Sequence, residues 1–403
     1  MKIRETDWVR ICLINLLLVA SAGLVLRYKM IFPLPWVDQK HLLHGHSHFA
    51  FSGWISQLLM VLLLAQTGRE TGIDLIHKYR RLLLLHVLCA YGMLISFPIQ
   101  GYGWASITCS TAEILVFAIF SIRIWKELNN NLVCWSSRNW FRAAVAFGML
   151  SSLGAFCLAG MMAGHVVHQN WYLAALYFFL HFQYNGWFLF ACGGLLWTFP
   201  FMKQLPETAS RKLFYPFLAA CIPAYFLSAL WLPLPKLLYG LIVAAAIIQV
   251  VAWCYFLFQV VRIAPSNWKQ SFFQNYNWAI WMPATAFSIK LVLQLGSTVP
   301  ALSKLAFGFR SIVIGYLHLT LLGIVSLFLI TLVHQQGFYS NANWKGYRLL
   351  LSGIITTELL LLIQGVAAIG GYPVLWINEG LLAAALLMWM GIVRMIAIKK
   401  ATS

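Results

Sequence analysis

Long apolar runs separated by short polar breaks dominate the chain. Twelve of them fall at residues 8–26, 42–66, 82–100, 103–123, 143–163, 171–199, 213–232, 237–261, 278–296, 311–333, 349–369 and 373–393. A helix needs about 20 mostly apolar residues to cross a bilayer. The pattern therefore predicts an all-α, polytopic membrane protein with about 12 transmembrane helices. The first run is too long for a signal-peptide core, and Glu5 and Asp7 precede it, so it reads as a helix. The longer polar stretches, near 67–81, 124–142 and 262–277, are modest loops, so residues 1–403 read as a single transmembrane domain.

The polar breaks also orient the chain. Twelve helices put both termini on one side. The breaks on that side, with the termini, hold 21 Lys and Arg, against 6 on the other side, with Lys290 inside a run. The basic side faces the cytoplasm. Both termini are thus expected there, and a bacterial inner membrane is the expected location. Helices 2, 6 and 10 then begin at the outer surface.

Polar positions inside the runs recur. His48 is followed by Gly53-Trp54, His181 by Gly186-Trp187 and His318 by Gly323, each with four residues between histidine and glycine. The histidines are 133 and 137 residues apart in a chain of 403. The chain thus divides into quasi-repeats, roughly 1–134, 135–268 and 269–403, in a pseudo-threefold 3 × 4 arrangement. Each histidine lies two or three turns inside the outer end of its helix, so all three should sit at similar depth.

Composition agrees with the runs. The chain is 61% hydrophobic and 9% charged, where a soluble domain carries about 25% charged residues. The lipid bilayer is its expected surroundings. The net charge of +18 is scattered between apolar runs and does not point to nucleic acid. The eight cysteines form no CxxC, which argues against c-type haem attachment and a thiolate zinc site.

Four histidines fall within eight residues at the head of the second run. On a helix, His41, His44 and His48 share one face and His46 points the opposite way. Imidazole suits iron, copper and zinc, and ionisable groups inside a membrane usually mark function. Gly53, Gly186 and Gly323 leave room for either a flat macrocycle or a neighbouring helix. Phe49, Trp54, Phe182 and Trp187 either line a haem pocket or pack as ordinary helix aromatics. His41 and His44, with His165 and His168 near the start of helix 6, offer either a second metal site, such as copper, or interfacial histidines bonded to water and carbonyls. Arg310 starts helix 10 about 12 Å above His318 and is either a propionate partner or an interfacial anchor. His77, His86 and His334 read as structural or surface residues. Lys290, Glu113, Glu358 and Glu379 are candidates for intramembrane pairing or proton transfer. Gly148, Ser151, Ser152, Gly154, Ala155 and Gly160 predict close helix packing.

The helix count, the three groups of four and the histidines of helices 2, 6 and 10 together resemble the large subunit of the haem–copper oxidase superfamily, which includes cytochrome c oxidase subunit I and the nitric oxide reductase large subunit. The local pattern His46-x-His48-x4-Gly53 is similar to the NnrS family of haem- and copper-containing membrane proteins. The resemblance implies a b-type haem with His48 and His318 as axial ligands, and His181 in the place of a copper ligand. It departs from the oxidase pattern at three points. Tyr316 stands where oxidases carry a haem-ligating histidine. The run 213–232 lacks a His-His pair, and Asn185 rather than a tyrosine follows His181 by four residues. The binuclear centre is incomplete.

The expected function is haem-based redox or gas handling, of dioxygen or nitric oxide, with a quinol or a cytochrome as electron donor. The enzymatic form of that reading is an oxidoreductase of the oxidase or nitric oxide reductase type. Two alternatives stand beside it. One is a metal-ion or small-solute transporter with an intramembrane histidine site. The other is a non-catalytic assembly or sensor protein. Pro223 and Pro283, the main intramembrane prolines, are distant from any histidine in sequence, which reads against transport through broken helices.

Overall fold

The computed structural model describes residues 3–263, 278–338 and 343–397. Most of the loop expected at 262–277, with Lys399 and Lys400, lies outside the described residues. Among those described, the chain is helical with no strand.

Two compact units emerge, residues 1–124 with 329–403, and residues 125–328. The first contains α1 (Glu5–Lys29), α2 (Gln39–Phe49), a π-helical segment π1 (Ala50–Ser56), α3 (Gln57–Thr71), α4 (Leu75–Gln100) and α5 (Trp104–Glu127). The second contains α6 (Trp135–Ala163), α7 (Gln169–His181), π2 (Phe182–Phe188), α8 (Leu189–Leu196), α9 (Glu207–Cys221) and a 3-10 turn (Pro223–Ala229). It continues through α10 (Lys236–Ile263), α11 (Trp278–Gly296), α12 (Pro300–Gly308), α13 (Arg310–His318) and π3 (Leu319–Ser326). The chain then returns to the first unit along α14 (Leu327–Gln335), followed by α15 (Trp344–Ile369) and α16 (Ile377–Ala397).

Every one of the twelve apolar runs coincides with helix. Ten of the described helices are long and apolar enough to cross a membrane, and eleven if α9 and its 3-10 turn count as one span bent by 50°. The helix from Gln169 to Leu196 is not among them, because His181, Gln183 and Asn185 interrupt its apolar middle.

The helices outrun the apolar stretches. The expected loop 67–81 shrinks to Gly72–Asp74, since α3 continues to Thr71 and α4 begins at Leu75. Caps, not hydropathy, end these helices. Gly72 closes α3 in the left-handed conformation (φ 72°), and the Asp74 side chain accepts from the His77 N–H at 3.0 Å.

In the first unit the helix formed by α2, π1 and α3 is the central element. Of its most apolar window 83% is buried, against 28% for α5. α15 and α16 meet backbone to backbone. A Cβ on Gly391 would lie 2.5 Å from Leu350 N, and one on Gly353 would lie 2.8 Å from Ala384 O. Small residues permit such contact where lipid provides no hydrophobic drive between helices. α16 also packs on α1, where Trp389 Nε1 donates to Ser21 Oγ at 2.9 Å.

In the second unit α6 packs along α7, π2 and α8. The expected small-residue packing is seen at Gly154, where a Cβ would lie 2.7 Å from Phe179 N, whereas Gly160 faces open space. Phe147 stacks on Phe182, and Trp140 is tied to α9 through Ser210 Oγ at 3.1 Å.

Candidate functional site

The three repeat histidines share a local structure that sequence spacing did not anticipate. A π-helical segment begins directly after His181 and His318 and two residues after His48. Gly53, Gly186 and Gly323 all lie inside these segments. π turns are rare and cluster at functional sites.

A π turn leaves a carbonyl off the α-helical ladder, and in lipid that oxygen needs a partner. In π1, the Gln57 N–H bonds to Ser52 O, so Gly53 O loses its usual donor. Asn15 Nδ2 of α1 donates to Gly53 O instead, at 2.6 Å. Asn15 is fully buried, and its own oxygen accepts from Tyr91 Oη at 2.7 Å. In π2, the Leu189 N–H bonds to Tyr184 O, and the released Asn185 O faces Cys221 Sγ at 3.9 Å. Asn15 stands out in sequence as an isolated amide in the first apolar run, and that was the available signal.

His41, His44 and His48 do share a face, and it meets the end of α4. The His48 ring stacks on Phe97 with centroids 4.3 Å apart, and its Nε2 lies 3.3 Å from Tyr102 Oη. His44 meets Tyr102 edge-on at 4.8 Å. The His41 ring covers Gly101, where a Cβ would lie 2.5 Å from its Nε2. The helix is started by Asp38, whose side chain accepts from the His41 N–H at 2.7 Å. That bond holds the Asp38 carboxyl below its ordinary range. His46 points to the opposite side as expected, where its Nδ1 donates to Val19 O of α1 at 3.0 Å beside Gly23.

In the second unit His181 is fully engaged. Its Nε2 donates to Cys221 O at 2.9 Å and its Nδ1 accepts from Asn185 Nδ2 at 3.0 Å. Cys221 O is available because Tyr225 N, its usual α-helical partner, bonds to Ile222 O in the 3-10 turn that Pro223 begins. The sequence placed Pro223 far from any histidine; the fold puts His181 beside the break. Asn185 Oδ1 is buried with no hydrogen-bond partner among the described residues. Lys290 is also buried, with Nζ donating to Gln294 Oε1 at 2.6 Å and lying over the rings of Phe287 and Tyr316 at 5.6 and 6.0 Å.

His318, half-buried, closes α13, and Arg310 is exposed at the start of the same helix. His165 and His168 are exposed between α6 and α7. His165 has a positive φ of 49°, and His168 caps α7. Among the described residues no group of three or more His, Cys, Asp or Glu is placed to hold a metal ion.

A Cβ on Gly53 would lie 2.5 Å from the Phe49 ring, one on Gly186 2.5 Å from Phe147, and one on Gly323 3.4 Å from Ala286. The nearest atoms belong to Phe49 of the same helix in the first case and to residues of other helices in the other two. Phe49, Trp54, Phe182 and Trp187 are core residues, each at most 1% exposed. An apolar cavity of about 120 Å³ in the second unit, walled by Trp140, Phe217, Trp253 and Phe287 among others, is lined by no histidine.

No protein-family model matches the chain, and no curated protein matches it.

Proposed function

We propose that this chain is a haem-binding integral membrane protein for redox or gas handling, on a scaffold like that of oxidase subunit I. His48 and His318 are its candidate haem ligands. The observation that carries the reading is the recurrence of a π segment behind each of three histidines spaced a third of the chain apart. It supports three related repeats, and with them the grouping of twelve helices by fours. The charge asymmetry supports cytoplasmic termini.

The donor set fits in part. His48 presents Nε2 to a neutral hydroxyl at 3.3 Å, a long contact that iron would replace at little cost. Phe97 holds that ring flat and Asp38 holds its helix start. His181 fits a structural role better than a copper ligand, since both ring nitrogens are engaged. A bound haem would supply one-electron transfer and a seat for dioxygen or nitric oxide, with a quinol or a cytochrome as donor.

The test is purification followed by reduced and oxidised optical spectra and metal analysis. Sharp α and β bands, lost in His48→Ala or His318→Ala, are expected. A colourless protein overturns the reading.

One observation favours a second reading, a transporter. The α9 span is broken at Pro223, and His181, Asn185 and Lys290 belong to the same unit as the break. Broken spans with polar groups at mid-membrane are where transporters bind cargo. A colourless protein with stoichiometric zinc or copper, lost in His181→Ala, would favour it.

A further inference from the structure

Beneath π1, on helices α3, α4 and α5, lies a second buried polar group. His86 and Gln57 are each 0% exposed. Gln57 Nε2 donates to Leu83 O at 3.4 Å, which sets the direction of the amide. Its Oε1 then faces His86 Nδ1 at 2.7 Å. An amide oxygen only accepts, so Nδ1 carries a hydrogen. The other ring nitrogen, Nε2, lies 2.9 Å from Glu113 Oε1.

This geometry constrains the proton count. In a neutral ring protonated at Nδ1, Nε2 is a bare acceptor, and an ionised carboxylate has only acceptors. Two lone pairs do not face each other at 2.9 Å without a proton between them. The pair is thus either imidazolium with carboxylate or neutral imidazole with carboxylic acid. Both arrangements have zero net charge. Removing the proton leaves an uncompensated negative charge inside an apolar helix bundle, which is expensive.

We propose that His86 and Glu113 form an intramembrane proton-binding site that holds one exchangeable proton between them, oriented by Gln57. The site is independent of haem binding. The His86 side chain is 0% exposed and the Glu113 side chain 18%. The surrounding titratable groups are placed. Cys89 on α4 is close enough to interact electrostatically with Glu113. Cys109 on α5 packs on Gly92 of α4. Tyr91 is turned to Asn15, and His44 and His48 of α2 are turned to Phe97 and Tyr102. α1 brings Cys12, which is fully buried. Gln57, the first residue of α3, ties the site to the end of the π segment that follows His48.

The experiment compares the full-length protein with Glu113→Gln, whose amide donates to His86 Nε2 without a titrating proton. Infrared spectroscopy and ring-nitrogen NMR read the protonation state at neutral pH, and an alkaline jump counts released protons. The expected result is an imidazolium signal or a carboxylic-acid band that vanishes in Glu113→Gln, with one proton fewer released per chain. A neutral His86 beside an ionised Glu113, or equal proton release from both proteins, overturns the proposal. The infrared arm on the unaltered protein keeps the test decisive even if the variant fails to fold.

Discussion

His181 Nε2 donates to the carbonyl oxygen of Cys221 at 2.9 Å, an oxygen released only because α9 breaks at Pro223. The histidine closes a gap in the backbone ladder of another helix. Removing it strands a buried carbonyl, which costs about 1–3 kcal/mol. His181→Leu is therefore expected to lower stability by that amount in chemical denaturation, while leaving any optical spectrum intact. Loss of the spectrum in a folded His181→Leu protein would return this residue to the ligand set.

The same logic applies to the amide under π1. Asn15→Leu leaves Gly53 O without its donor and is expected to cost about 1–3 kcal/mol. Tyr91→Phe strands only the buried Asn15 Oδ1 and leaves Gly53 O served, so it should cost less, about 1 kcal/mol, the low end of that range. Thermal unfolding of both variants in one detergent checks the order; equal losses would contradict it.

Two glycines should respond in opposite directions. Gly391→Ala puts a methyl 2.5 Å from Leu350 N at the α15–α16 contact, and overpacking of this kind costs about 1–3 kcal/mol. Gly160→Ala meets nothing within 4 Å and should be neutral or stabilising by up to about 1 kcal/mol through helix propensity. Melting temperatures of the pair read the difference.

The Asp38 cap gives a pH dependence of known sign. The His41 N–H holds the folded carboxyl below its ordinary value. Its contribution is complete above the unfolded value, about 3.9, and disappears as pH falls through the lower folded value. The protection of the His41 amide against hydrogen exchange, taken relative to the intrinsic rate at each pH, should fall on acidification through that window. Asp38→Asn keeps a capping oxygen and should not show this dependence.

The hydropathy pattern was enough to find every long helix, because a span must close its backbone bonds within itself and so must be apolar over its length. The shared face of His41, His44 and His48, with His46 opposed, followed from helical spacing alone. Other features were hidden for physical reasons. The π segments depend on which carbonyl a neighbouring helix can serve, as Asn15 serves Gly53, and no local preference encodes that. The meeting of His181 with the Pro223 break joins residues 40 apart, so sequence distance misled. The close approach of the Phe49 ring to Gly53, one turn away on the same helix, depends on the local winding and is not visible in the spacing. An isolated histidine such as His86 carries no sign in sequence of its partners, Gln57 and Glu113.

The first unit is assembled from both ends of the polypeptide, and Ser21 of α1 meets Trp389 of α16 across almost the full length of the chain. During synthesis the face of α1 that α16 covers therefore stays open until α16 has been made. A ribosome stalled between α14 and α16 would leave the first unit unfinished although the sequence of the second is already complete.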